Sequence, residues 1–140
     1  MTATLPLLLD TCAAIWISEE QPLASEALAV IDHSHRSGEL IYVSPITAWE
    51  IGLLVARGKV TSPMSPHRWF ERLLEAPGLR LADMSPDVLI ASSFLPGAPP
   101  RDPADRILAA TAREYGYRLT TRDTPLLTYA RQGHLQALAC

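Results

Sequence analysis

Short apolar runs alternate along this chain with longer stretches whose apolar residues recur at helical spacing, and that rhythm leaves few folds open. It points to βαβ units and an α/β fold with a parallel sheet. Leu5–Leu9 reads as a first buried strand. Pro22–Arg36 carries Leu23, Ala27, Leu28, Val30 and Ile31 on a helical period and is stopped by Ser37-Gly38. Leu40–Val43 is a second strand. Ser44-Pro45 opens a helix through Ile46, Trp49, Leu53 and Leu54 to Gly58, with Ser44 as cap and Pro45 in the first turn. Ser65-Pro66 opens another, ending near Ala76-Pro77-Gly78, and Leu79–Leu81 reads as a short strand. Ser85-Pro86 caps a helix to about Ser93, and the Pro/Gly density of 95–101 marks the main irregular loop. Asp102-Pro103 starts the helix Ala104–Tyr115, ended by Gly116, before a strand at Arg118–Thr121. Thr124-Pro125 opens a short helix to about Ala130, and Leu135–Leu138 is a last edge strand. There is no internal repeat, so residues 1–140 are expected to form a single domain.

Composition narrows the functional classes. With 48% hydrophobic residues, 140 residues are enough for a real core and too apolar for disorder. The N-terminal apolar stretch is too short to span a bilayer and lacks the basic lead and cleavage site of a signal peptide. A cytoplasmic protein without a membrane partner is expected. Cys12 and Cys140 form no Cys-x-x-Cys, so neither a disulfide framework nor a thiolate zinc site is indicated. Cys12 follows Asp10-Thr11 closely enough to raise the question of a nucleophile, but a small buried apolar residue is the better reading. His33, His35, His67 and His134 have no metal-ligand spacing with a carboxylate.

Four acids stand where charge has no obvious structural use. Asp10 closes the first strand, Asp105 opens an apolar helix and Asp123 follows the strand at Arg118–Thr121. Glu50 is the sole charged residue between Ile41 and Ala56. In an open parallel sheet, ligands bind beyond the carboxyl ends of the strands, where Asp10 and Asp123 fall. If the fold gathers these carboxylates, each pair at about 5 Å and an effective dielectric near 20 repels by roughly 3 kcal/mol. Protons or a hard divalent ion with oxygen ligands would hold such a cluster together. A metal-dependent hydrolase follows. The net charge of −3 argues at first against a nucleic-acid partner. Set the four acids aside and the remaining charges nearly balance, with every basic residue except Lys59 an arginine. Arginine binds phosphate through a bidentate fork, which permits a phosphodiester substrate.

Each acid has a bland counterpart. Asp10 and Asp123 are natural caps for the segments that follow them, and Asp105 is an acid favoured by the dipole of a helix that Asp102 caps. Glu50 differs, because the apolar helix around it is expected to be buried on most faces, where an unpartnered carboxylate is costly. Arg106 and Arg122 each adjoin one of these acids, and a structural ion pair is the expected role of both.

Leu-Leu-Asp-Thr (8–11), Ser-Pro-Ile-Thr-Ala-Trp-Glu-Ile (44–51), Arg-Asp-Pro-Ala-Asp-Arg-Ile-Leu-Ala-Ala-Thr-Ala (101–112) and Thr-Thr-Arg-Asp (120–123) together resemble the PIN domain, with the VapC-like toxins of bacterial toxin–antitoxin pairs the nearest pattern. The resemblance spans essentially the whole chain, and the Asp-Pro-x-Asp-Arg block is its most specific part. It implies a three-layer α/β/α sandwich with a central parallel sheet, and a magnesium- or manganese-dependent endoribonuclease leaving 5′-phosphate and 3′-hydroxyl ends. Asp10, Glu50, Asp105 and Asp123 match the catalytic, metal-binding acids. Thr11 and Thr121 match hydroxyls lining the site, and Asp102 a further acid whose role stays open between capping and catalysis. Cys12 and Pro99-Pro100 stand where similar chains often carry histidine, and neither departure touches the four acids. The resemblance also implies an RNA substrate, a homodimer and a separate antitoxin protein.

Other readings fit less well. A receiver domain wants a lysine after the last core strand, and Lys59 lies mid-chain. A haloacid-dehalogenase-like phosphatase wants an aspartate where Cys12 stands. A PIN-like module that binds RNA or protein without cutting is the alternative from another class.

Overall fold

The computed structural model describes residues 5–19, 22–60 and 63–140. Its central element is β1 (Leu7–Leu9), whose three leucines are all buried. A strand with no exposed face belongs in the middle of a sheet covered on both sides. It pairs in parallel with β2 (Ile41–Val43) on one edge and β4 (Arg118–Thr121) on the other. β3 (Leu79–Leu81) and β5 (Ala137–Ala139) complete a five-stranded parallel sheet in the order β3-β2-β1-β4-β5.

Alternation along β1 divides the core into two layers. Leu8 faces a cluster with Leu119, Leu126, Tyr129 and Leu108, so α6 (Pro103–Tyr115) and α7 (Thr124–Arg131) cover that side. Leu7 and Leu9 face Ala13, Ala14, Ala27 and Leu73, contributed by α1 (Thr11–Ser18), α2 (Ser25–Arg36) and α4 (Pro66–Leu74). The result is the expected three-layer α/β/α sandwich. Two further helices, α3 (Pro45–Ala56) and α5 (Pro86–Ala91), sit in the β2-to-β3 and β3-to-β4 connections.

Helix starts follow local chemistry. Ser44, Ser65, Ser85, Asp102 and Asp123 each cap a helix through a side-chain oxygen, with proline in the first turn. Gly116, at φ 71°, supplies the left-handed residue that ends α6.

Several boundaries differ from the sequence reading. Helix α1 directly after Asp10 is an added element, short and almost uniformly apolar, so it carried no helical period to detect. Helix α2 begins at Ser25 rather than Pro22, because Leu23 is first packed against the core. The last strand starts two residues later than expected, since Leu135 is held in the α6/α7 core layer. The larger correction concerns α3. It is not buried on most faces: Trp49 is 53% exposed, and Leu53, Leu54 and Val55 are half-buried.

Among the described residues, two buried side-chain polar atoms lack a hydrogen-bond partner, Glu39 Oε2 and the Thr120 hydroxyl. The Thr120 hydroxyl is fully buried without a hydrogen bond, on a strand whose neighbouring positions on that face are Leu9 and Leu138. A buried unsatisfied hydroxyl is a cost that an isosteric methyl removes. Thr120→Val is therefore expected to raise the unfolding free energy by about 1 kcal/mol, whereas Leu8→Ala lowers it by about 2–5 kcal/mol. Urea unfolding curves with unchanged slope check both; a destabilised Thr120→Val protein would contradict the assignment.

Candidate active site

The chain leaves β1 for β2 and β3 on one side, and β4 leads to β5 on the other, so order reverses between the two central strands. A crevice opens at such a switch point, beyond the carboxyl ends of the strands. The β1–β4 ladder continues one step past β1, where the Asp10 backbone N–H donates to the Thr120 carbonyl at 3.0 Å. That bond sets Asp10 beside the end of β4. Its Oδ1 caps α1 by accepting from the Ala13 N–H at 2.7 Å, and its Oδ2 accepts from the Thr121 hydroxyl at 2.5 Å. The same hydroxyl accepts from the Asp123 N–H at 3.0 Å, while Asp123 Oδ2 caps α7 through the Leu126 N–H at 3.1 Å. Thr121 thus ties two of the expected acids to one oxygen.

Glu50 reaches the crevice from α3. Its Oε1 accepts from the Thr11 hydroxyl at 2.5 Å, and Thr11 lies 3.1 Å from the Thr47 hydroxyl. Thr11 has one proton, so with that proton on Glu50 the Thr47 hydroxyl donates to Thr11. Asp102 and Asp105 arrive together at the start of α6, where Asp102 Oδ1 accepts from the Asp105 N–H at 3.0 Å. Asp102 is therefore the cap.

The arginines are not the ion pairs expected of them. Arg106 donates to the carbonyls of Ser92 at 3.0 Å and Pro100 at 3.2 Å, pinning the loop that leads into α6. Arg122 lies 3.5 Å over the Trp16 ring and donates to the carbonyls of Cys140 and Pro22. Neither closes an ion pair with a described residue.

The acids share one field. Asp105 has its proton affinity raised from 3.8 to about 7, first by burial and then by Asp123, Asp102, Glu50 and Asp10. Burial likewise raises Glu50 against the Thr11 hydrogen bond, with Asp102 and Asp10 adding to the rise. Burial raises Asp10 against its bonds from Thr121 and Ala13; Asp123 adds to this and Arg122 opposes it. Cys12 occupies the rim. Its thiol is held up at about 11 by partial desolvation and then by Asp10, Glu50, Asp105 and Asp123. Cys12 is exposed, which corrects the buried-residue expectation, and it stays a neutral thiol rather than a nucleophile.

The donor set suits a hard divalent cation. All candidate ligand atoms are carboxylate oxygens, and the Asp105 carboxylate accepts no hydrogen bond from a described residue. Among the described residues, no three His, Cys, Asp or Glu side chains stand at metal-ligand spacing. Like charges without a counter-ion favour separation, and Asp10, Glu50 and Asp123 each have an oxygen engaged elsewhere. Sequence reasoning missed Thr47 as a member of the network. Its signal was available: three residues before Glu50 on one helix, it lies on the same face.

Comparison with known proteins agrees with this architecture. A PIN domain family model matches residues 7–132. Ribonuclease VapC22 of Mycobacterium tuberculosis is 32% identical over 124 residues, covering 88% of this chain and 91% of that protein. The crystal structure of VapBC2 from Rickettsia felis, bound to a DNA fragment from their promoter, aligns with a TM-score of 0.68 at 14% identity, over 96% of this chain and 98% of that one. FitAcB from Neisseria gonorrhoeae aligns with a TM-score of 0.58 at 22% identity, over 94% and 96%. Those two likenesses bear on fold alone, whereas the family match and the 32% relative cover most of the chain. This protein belongs to the PIN domain family.

Proposed function

We propose that this chain is a divalent-metal-dependent endoribonuclease and the toxin of a toxin–antitoxin pair. The observation that carries the reading is the gathering of acids from distant places in the sequence at one crevice. There Thr121 ties Asp10 to Asp123, and burial first, then Asp123, Asp102, Glu50 and Asp10, raise the proton affinity of Asp105. A relative that bears the name ribonuclease at 32% identity supports the choice of substrate.

Asp10, Glu50, Asp105 and Asp123 would hold the ion, magnesium or manganese. When bound, it supplies the positive charge that polarises a phosphoryl oxygen and favours deprotonated water for in-line attack. Thr121 fixes the rotamer of Asp10, and the Thr47–Thr11 pair fixes that of Glu50, so the carboxylates are oriented before substrate arrives. Asp102, capping α6, presents Asp105 and adds negative potential. A non-catalytic binding module draws on the wide spacing of the acids. Magnesium-stimulated cleavage of RNA by the purified protein, abolished by EDTA, separates the two.

The partners follow from surfaces. Leu89, Ile90 and Phe94, at 39%, 60% and 80% exposure, form an apolar patch on and after α5 that suits a second copy of the chain. A groove lined by Ile15, Ile51, Val55, Met64 and Trp69 runs between α1, α3 and α4. It suits an amphipathic antitoxin segment, which would bring a lysine or arginine against the acids. The structural likeness to VapBC2 and FitAcB supports such a partner. No described helix is long and apolar enough to cross a membrane.

Two outcomes test this reading. A carboxyl whose folded pKa is raised stabilises the fold fully below its unfolded value and loses that contribution as pH rises through the folded value. Metal-free protein is therefore expected to lose stability between pH 3.8 and about 7. Asp105→Asn should lack that part of the loss, be more stable than wild type at pH 7 in EDTA, and fail to cut RNA with magnesium. Full activity in Asp105→Asn would remove it from the site. Magnesium should also compete with the antitoxin, and Asp105→Asn should weaken the complex by roughly 2–5 kcal/mol through loss of a desolvated charge pair. Calorimetric titration of the complex checks this; an affinity indifferent to both treatments would mean inhibition from elsewhere.

A further inference from the structure

Trp49 and Leu53 on α3 and Arg57 at its C-cap recur at intervals of four and share one face, with Glu50 and Leu54 beside them. That face is one wall of a groove whose other wall is Asp102, Pro103 and Ala104 at the start of α6. The groove therefore begins in the acid crevice, through Glu50 and Asp102, and runs outward along α3. Its volume of about 260 Å³ is below the range of pockets that enclose a whole small ligand, so it suits one unit of a longer chain. Trp49 is 53% exposed and has no ring partner among the described residues. The Arg57 guanidinium makes no ion pair or hydrogen bond with a described residue. An unstacked indole and an unpaired arginine on one helix face, leading away from the phosphate-cutting acids, have a common use. Aromatic faces stack single-stranded bases, and arginines track the backbone.

We propose that this groove binds the nucleotides flanking the scissile phosphate, with a base stacked on Trp49 and a backbone phosphate paired to Arg57. The assignment rests on the ribonuclease reading. Seven residues at 1.5 Å each place Arg57 about 10 Å along the axis from Glu50, within reach of the neighbouring nucleotides of a strand whose scissile phosphate lies at the acids. A second copy of the chain fits this groove poorly, because interface cores are depleted of charge and the groove carries Glu50, Arg57 and Asp102. Arg57 also offsets the repulsion that Glu50 and Asp102 exert on an incoming phosphate.

The test is fluorescence anisotropy of a labelled single-stranded oligouridylate with wild-type protein and variants in EDTA, which reads binding without cleavage. Trp49→Ala and Trp49→Leu are each expected to weaken binding about tenfold, and Trp49→Phe to retain most of it, since a ring and not apolar area is required. Arg57→Ala should weaken binding and reduce the salt dependence by about one unit of slope, with Arg57→Lys intermediate. With magnesium, the Trp49 variants should raise KM and leave kcat near wild type. Unchanged binding in Trp49→Ala, or retained binding in Trp49→Leu, overturns the subsite. A Trp49→Ala protein that changes from dimer to monomer by light scattering also overturns it, as the face would then be an interface. Binding lost in Trp49→Ala by a wild-type protein that never cuts supports the subsite and sinks the nuclease reading alone.

Discussion

The pairing of β1 with β4 is the contact on which the site depends. Leu7, Leu8 and Leu9 register against Arg118, Leu119 and Thr120, and the ladder runs on to Asp10. These strands lie more than a hundred residues apart in sequence, so their pairing converts distant carboxylates into neighbours. A register slip of one residue would turn Thr121 from Asp10 and reverse the leucines between core layers. The hydrophobic demand that Leu8 and Leu119 share one layer is therefore the same constraint that sets Thr121 on Asp10.

Around that pairing, the fold assembles like charges and gives them no ion pair among the described residues. Burial raises the proton affinity of Asp10, Glu50 and Asp105, and at least one other acid of the crevice adds to each rise. Hydrogen bonds from Thr11, Thr121 and Ala13 oppose this for Glu50 and Asp10. Asp105 has no such relief and carries the largest consequence. The nearby arginine, Arg122, opposes the rise at Asp10, but its guanidinium is committed to Trp16 and two carbonyls. It therefore ties Cys140 to α1 and closes no ion pair with a described acid. An arrangement of this kind is stabilised by whatever brings positive charge, which makes metal, protons and a cationic inhibitor alternatives at one place.

Much of this was legible in the sequence because capping residues and proline fix helix starts locally. Ser44-Pro45, Ser65-Pro66, Ser85-Pro86 and Asp102-Pro103 each predicted a boundary that the structure keeps. Helix α1 was illegible for the opposite reason: its residues are apolar on nearly every side, so no period distinguished it from a strand's continuation. The acids could be singled out one at a time, Glu50 by its apolar setting, yet only the family resemblance joined them into one site. Their shared field depends on strand order, which local pattern does not encode. The exposure of α3 was misread because an apolar composition was equated with burial in one chain. Trp49 and Leu53 instead line a groove open to solvent.

The central claim is that these carboxylates form one coupled cluster awaiting a cation. Carboxyl-selective NMR titration of Asp105 measures it directly, in EDTA and then in saturating magnesium. The account predicts a titration near 7 without metal, collapsing toward the ordinary aspartate range when magnesium binds. A midpoint near 3.8 in EDTA, unchanged by magnesium, would contradict it.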